Sequence, residues 1–209
     1  MAQYGFYFDS DRCTGCKTCQ VACKETYGLP ADTLWRRVLN YQAGSWKQDT
    51  ATGIYQPVGV FAYFISMGCN HCETPACFGV CPVAAIEKDP ETGIVRINEG
   101  LCIGCGSCKT ACPYDAPSLW ESKGIFTKCD MCSDLVAEGE KPLCVTGCLM
   151  RALDWGELAA LKAEYGEGSV EVEPLPKNTT GPSLVLNPHR KAPQTGAGGG
   201  EVVNLSEEL

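Results

Sequence analysis

The sequence predicts an α+β chain of two small cysteine-held lobes, one inserted in the other and followed by an extended C-terminal arm. Three observations carry that prediction. All 16 cysteines of the 209 residues fall into four groups of four. Two groups, RCTGCKTCQVAC (12–23) and LCIGCGSCKTAC (101–112), align without a gap, the mark of a duplicated unit. From Pro174 the composition turns to proline, glycine, asparagine and threonine, which cannot build a core of its own.

Taken in order, the aromatic run YGFYF (Tyr4–Phe8) reads as a strand ending just before the first group, Cys13, Cys16, Cys19 and Cys23. Residues Lys24–Val58 read as an insert that adds surface. GVFAYFI (Gly59–Ile65) is a second strand, leading to Cys69, Cys72, Cys77 and Cys81. AAIEKDPETGIVRIN reads as a hairpin turning at Asp89, Pro90 and Gly93, with Ile94 and Ile97 on the returning strand. The third group is Cys102, Cys105, Cys108 and Cys112; the fourth is Cys129, Cys132, Cys144 and Cys148. The long spacer of the fourth group, SDLVAEGEKPL, reads as a helical turn capped at Ser133 and ended by Gly139. An amphipathic helix follows from Glu157 to Tyr165, with Asp154 as N-cap and Leu158 and Leu161 facing the core. In the arm, PSLVLNP is an apolar stretch that solvent would waste, so it is expected to lie on a partner. The expected boundaries are an outer lobe of residues 1–58 and 121–170, an inner lobe of 59–120, and a partner-binding tail of 171–209.

Disulfides do not suit three thiols spaced by two residues with a fourth three residues on, since these cannot all pair locally. Structural zinc needs two CxxC units per ion and has no use for a third cysteine two residues further along. Iron–sulfur clusters do use the run Cx₂Cx₂Cx₃C, with the fourth cysteine ligating the neighbouring cluster of a pair, and the first and third groups match it fully. The third and fourth cysteines stand one helical turn apart, on one face about 5–6 Å from each other, so the turn is a tether between two redox centres. Pro82 and Pro113 each follow the last cysteine of their group, which matches the second group with the third and leaves the first with the fourth. Four 4Fe–4S clusters follow. The first takes Cys13, Cys16, Cys19 and Cys148; the second Cys23, Cys129, Cys132 and Cys144. The third takes Cys69, Cys72, Cys77 and Cys112; the fourth Cys81, Cys102, Cys105 and Cys108. Every cysteine is used, and no iron is left open for chemistry.

The formal charge is −8, which excludes the basic face that nucleic acid requires. Each oxidised cluster with its thiolates adds about −2, so backbone N–H groups must approach the sulfurs, as the spacers holding Gly15, Gly104 and Gly106 allow. Lys17, Lys24, Lys109 and Lys128 lie beside ligands and either soften this field or stay solvated. His71 is expected to stand behind the ligands or at the surface rather than to ligate, and His189 lies in the tail without a catalytic context. No GxGxxG, Walker loop, HExxH or Ser/His/Asp set is present, so no catalytic residue is expected. The longest uncharged run, Gly53–Met67, is shorter than the about 20 residues of a spanning helix and contains Pro57, so no direct membrane insertion is expected. The N-terminus has no basic flank or cleavage site, and Arg36–Arg37 follows the first cysteine group, so neither reads as an export signal.

Four cysteine groups, the long spacer in the fourth, and the segments YGFYFDSDRCTGCKTC, FAYFISMGCNHCETPAC, KCDMC and RALDWG resemble the iron–sulfur electron-transfer subunits of molybdopterin oxidoreductases, the dimethyl sulfoxide reductase branch most of all. The resemblance runs from residue 4 to about 196. It implies a relay through four 4Fe–4S clusters between a quinol-linked or other donor and a catalytic molybdopterin (Mo or W) subunit, with a possible membrane-anchor subunit. It further implies a place on the periplasmic side of the cytoplasmic membrane, exported with the partner, or otherwise in the cytoplasm. The rival readings are a free-standing polyferredoxin, which has no need of the insert or the apolar tail, and a structural zinc protein.

Overall fold

The computed structural model describes residues 2–208. The aromatic run forms β1 (Tyr4–Asp9), with Phe6 and Phe8 buried. After the first cysteine loop comes α1 (Thr18–Tyr27), which Gly28 stops in a left-handed conformation. β2 (Arg37–Gln48) and β3 (Tyr55–Met67) then form a long antiparallel hairpin, paired from Arg37↔Met67 out to Gln48↔Tyr55 with a bulge between Ala43 and Ser45. The strand expected at Gly59–Ile65 is only part of β3, and β2 lies in what reads as insert. The outer half of this hairpin is exposed on both faces, so it carries no period-two pattern to read. The boundary expected between residues 58 and 59 falls inside β3.

Next are α2 (Ala76–Gly79), the expected hairpin of β4 (Ile86–Lys88) and β5 (Val95–Ile97), and α3 (Ser107–Ala111). Asp89 holds the hairpin turn by accepting the Glu91 and Thr92 amides at 2.8 and 3.0 Å. A second small hairpin joins β6 (Ser118–Trp120) and β7 (Ile125–Thr127). α4 (Ser133–Ala137) lies in the long spacer, and α5 (Leu143–Thr146) carries Cys144. Ser133 is the first residue of α4 rather than its cap. Cys132, left-handed, holds the cap position without a side-chain bond, while Gly139 ends the turn with its amide on the Val136 carbonyl.

β8 (Leu153–Glu157) runs directly into α6 (Leu158–Tyr165). The expected N-cap, Asp154, is instead a strand residue opposite Tyr7, and its carboxylate accepts from Lys141, Tyr165 and the Trp155 amide. The strand pairing displaces the cap because β1 satisfies the backbone there. Leu158 and Leu161 pack on Tyr7 and Val185 as expected. The tail carries β9 (Leu184–Asn187), β10 (Glu201–Val202) and α7 (Leu205–Glu208).

The sheet order β8–β1–β9 sets β1 antiparallel to β8 and parallel to β9. The order β10–β2–β3 lays the end of the chain along the hairpin. The apolar PSLVLNP stretch therefore does not lie on a partner. Leu184, Val185 and Leu186 are buried in the chain's own core, at about 1.5–3 kcal/mol per fully buried side chain, which outweighs the tail's weak local propensity. Among the described residues no helix is long and apolar enough to cross a membrane.

Candidate metal centres

One backbone device recurs in all four cysteine groups. The residue two after the first cysteine is left-handed in each: Gly15, His71, Gly104 and Met131, with φ of 68, 42, 70 and 66°. This turn folds the CxxC unit back so that both sulfurs face the same side. Lys17 and Gly106 repeat the left-handed turn one step on, in the two groups with three closely spaced cysteines. Short helices then carry the tether predicted between third and fourth cysteines: α1 holds Cys19 and Cys23, and α3 holds Cys108 and ends at Cys112. Cys77 and Cys144 sit in α2 and α5, one turn before Cys81 and Cys148.

A second device closes the last three groups. The residue three after the final cysteine is left-handed (Ala84, Asp115, Arg151), and the next amide donates to that cysteine's sulfur. The distances are 3.2 Å for Ala85 to Cys81, 3.5 Å for Ala116 to Cys112 and 3.3 Å for Ala152 to Cys148. Leu149 stands where Pro82 and Pro113 stand in the other two, so the turn does not depend on proline.

The folded chain brings the cysteines together in four sets. Cys13, Cys16, Cys19 and Cys148 line one small apolar cavity with Phe8 and Val38. Cys81, Cys102, Cys105 and Cys108 line another with Ile86, Ile97 and Phe126. Cys23, Cys129, Cys132 and Cys144 lie within electrostatic reach of one another, as do Cys69, Cys72, Cys77 and Cys112. Cys19 also lies near Cys144, and Cys69 near Cys129, so the sets follow one another in a line. Among the described residues no three His, Cys, Asp or Glu side chains converge tightly enough for a single ion. Four soft thiols spaced around an apolar volume fit a sulfur-bridged iron cluster instead.

Burial is graded along this line. All four thiols of the second set are buried, whereas Cys16 and Cys105, in the two end sets, are exposed. Burial pushes the Cys13 and Cys72 thiols up to about 11 and the Cys23 and Cys77 thiols up to about 12. The Thr18 and Ser107 hydroxyls bring Cys16 and Cys105 down. Metal binding must strip protons from the buried thiols, so it releases acid and weakens as pH falls.

His71 is fully buried, which removes the surface alternative. Its Nδ1 accepts the Val95 amide at 2.9 Å, so Nε2 carries the proton and has no partner among the described residues. A sulfur-rich anionic group beside Cys69 and Cys72 suits that spare donor. Replacing His71 with alanine is expected to leave four clusters assembled while orphaning the Val95 amide, at about 1–3 kcal/mol; iron content and anaerobic thermal unfolding check both halves.

Of the four lysines singled out by sequence, Lys17 pairs with Glu207 and Glu208 and Lys109 with Asp115, each within 2.8 Å. Lys24 is turned to the Pro30, Ala31 and Thr33 carbonyls. Lys128 alone is buried, its ammonium on the Val95 and Cys129 carbonyls between the second and third sets. Sequence reasoning missed Arg36, a buried guanidinium near Cys19 and Cys144. It lies far from any cysteine in sequence, and no local pattern marks it.

Residues 60–158 match a family model described as a 4Fe-4S dicluster domain, and residues 4–25 match a 4Fe-4S binding domain. The chain is 47% identical over 206 residues to the iron–sulfur subunit of anaerobic dimethyl sulfoxide reductase from Escherichia coli (strain K12), covering 98% of each. It is 46% identical to the Haemophilus influenzae protein of the same name, covering 99% of this chain and all of that one. The thiosulfate reductase electron transfer subunit of Salmonella typhi is 34% identical over 81% of this chain and 84% of its own. With ferredoxin-type domains, small mixed sheets and sixteen cysteines for four 4Fe–4S clusters, the chain belongs to the dimethyl sulfoxide reductase family of iron–sulfur electron-transfer subunits.

Proposed function

We propose that the four clusters form one linear relay, each held by one of the four cysteine sets described above, with an inner lobe (59–120) carrying the third and fourth inserted into an outer lobe (1–58 and 121–170). Residues 171–209 brace the outer lobe and leave their far side to a partner. One end of the line faces a catalytic molybdopterin (Mo or W) subunit, and the other faces the donor, a quinol-linked membrane anchor. The complex stands on the periplasmic side of the cytoplasmic membrane, exported with its catalytic partner.

The carrying observation is the two-ended grading of exposure. The first set has exposed Cys16 with Val21, Leu149 and Met150 bare beside it; the fourth has exposed Cys105 with Leu101 and Ile103. Electrons thus have an apolar landing at each end and a buried path between. Each cluster stores and passes one electron at a time. The chain's own part is to fix the spacing through the helical tethers, to keep water from the inner thiols, and to aim backbone amides at the outer sulfurs. No proton transfer is required of any side chain.

Metal content of the protein purified natively without oxygen tests this reading. About sixteen irons per chain with stoichiometric molybdenum or tungsten support it. Iron without either favours the free-standing polyferredoxin, and zinc without iron overturns the relay. The grading makes a further prediction. In the isolated chain, ferricyanide is expected to destroy the first and fourth clusters before the second, followed as iron release and loss of electron paramagnetic resonance signals. Simultaneous loss of all four would contradict it.

A further inference from the structure

Arg36 is only 4% exposed, yet no carboxylate lies within ion-pair distance of it among the described residues; its neighbour Arg37, by contrast, pairs with Asp115 at 3.1 Å. A buried guanidinium without a counter-charge is untenable in a stable fold. The only anionic groups around it are sulfurs: Cys19 of the first set, and Cys144, Cys129 and Cys23 of the second. It is held rigidly in that place. Its Nη1 donates to the Ser66 hydroxyl at 3.1 Å, the same hydroxyl stands 3.3 Å from the Cys19 sulfur, and the guanidinium lies over the Phe6 ring at 4.9 Å. Gly68 leaves room beside it, since a Cβ there would come 3.5 Å from Nη2.

We propose that Arg36 is a shared positioning charge that sets the reduction potentials of the first and second clusters together. This rests on the relay reading above. A positive charge placed at the junction favours an added electron on either side of it, so it raises both potentials while keeping them close, and a single electron crosses the junction with little bias. Arginine serves this where histidine or lysine would not. The guanidinium stays protonated at any working pH, so the electron crosses with no proton and no pH dependence from this group. At the other described junctions the cations are engaged differently: Lys128 is satisfied by carbonyls, and Lys109 is neutralised by Asp115.

The experiment is a redox titration of the intact complex monitored by electron paramagnetic resonance, on Arg36→Met and Arg36→Lys. A Cys16→Ser variant, lacking the first cluster, assigns its signal. In Arg36→Met the first and second clusters are expected to become harder to reduce by at least tenfold in the reduced-to-oxidised ratio, about 59 mV for one electron. The third and fourth should stay within error, and Arg36→Lys should restore most of the shift. If Arg36→Met fails to assemble, Arg36→Gln, neutral but able to keep the Ser66 hydrogen bond, carries the test. The proposal is overturned if only one cluster or none shifts, if all four shift alike, or if lysine behaves like methionine. Iron content on the same samples separates these outcomes from failure of the relay itself: sixteen irons with unmoved potentials defeat Arg36 alone.

Discussion

Serine at position 129 is expected to cut electron delivery through the chain by more than about a hundredfold, beyond the 10–100-fold that losing an outer partner of a metal ligand costs. Cys129 is fully buried in the second set, beside Cys69 of the third, so the missing cluster leaves a gap in the middle of the line rather than at an end. The catalytic subunit should still turn over when a soluble dye feeds it directly. The discriminating measurement is therefore the ratio of donor-linked to dye-linked activity, alongside iron content. Donor-linked activity near the unmodified level would mean that electrons bypass the second cluster, and the linear relay would be wrong.

Gly104→Ala is expected to be the most damaging substitution outside the cysteines. At φ +70° an L residue costs about 1–2 kcal/mol, and a Cβ there would stand 2.1 Å from the Gly124 carbonyl oxygen, a backbone atom with nowhere to retreat. The combined cost is about 3 kcal/mol or more, with loss of the fourth cluster, because the loop that aims Cys102 and Cys105 must open. Gly106→Ala is the control. Its φ is +77°, but a Cβ would meet only the Phe126 ring at 3.5 Å, ordinary contact, so the conformational cost of about 1–2 kcal/mol stands alone. Anaerobic thermal unfolding and iron content separate the two. Equal effects would mean that the close approach to Gly124 contributes nothing.

The clusters were legible in the sequence because cysteine spacing is a local code. Cys19 and Cys23 lie on one helical turn whatever surrounds them, and the Gly15 and Gly104 turns follow from the same short motif. The sharing between groups was legible only through the proline clue, although the turn that closes each group at Ala84, Asp115 and Arg151 forms with or without proline. What stayed hidden depends on distant contacts. β2 has no alternation because both of its faces are exposed along the outer half. Asp154 has the signature of a cap but is held in a strand by Tyr7, which lies at the other end of the chain. Arg36 is a ligand neighbour only after β2 folds onto the cysteine loops. The place of the tail stayed hidden too, because composition reports what a segment cannot do alone and is silent on the sheet it can join.

The order of strands in the first sheet bears on how the protein is made. Phe6, among the earliest residues to leave the ribosome, pairs with Trp155 and Leu184, and the buried carboxylate of Glu208 accepts the Val38 amide at the very end of translation. The first two cysteine groups therefore wait, unpaired and reactive, until nearly the whole chain has been synthesised. Domains usually fold as they emerge; here the first cysteine set cannot close until Cys148 arrives. Iron delivery to that end of the chain is thus an event after translation, in a window when oxygen or stray metals compete for open thiols.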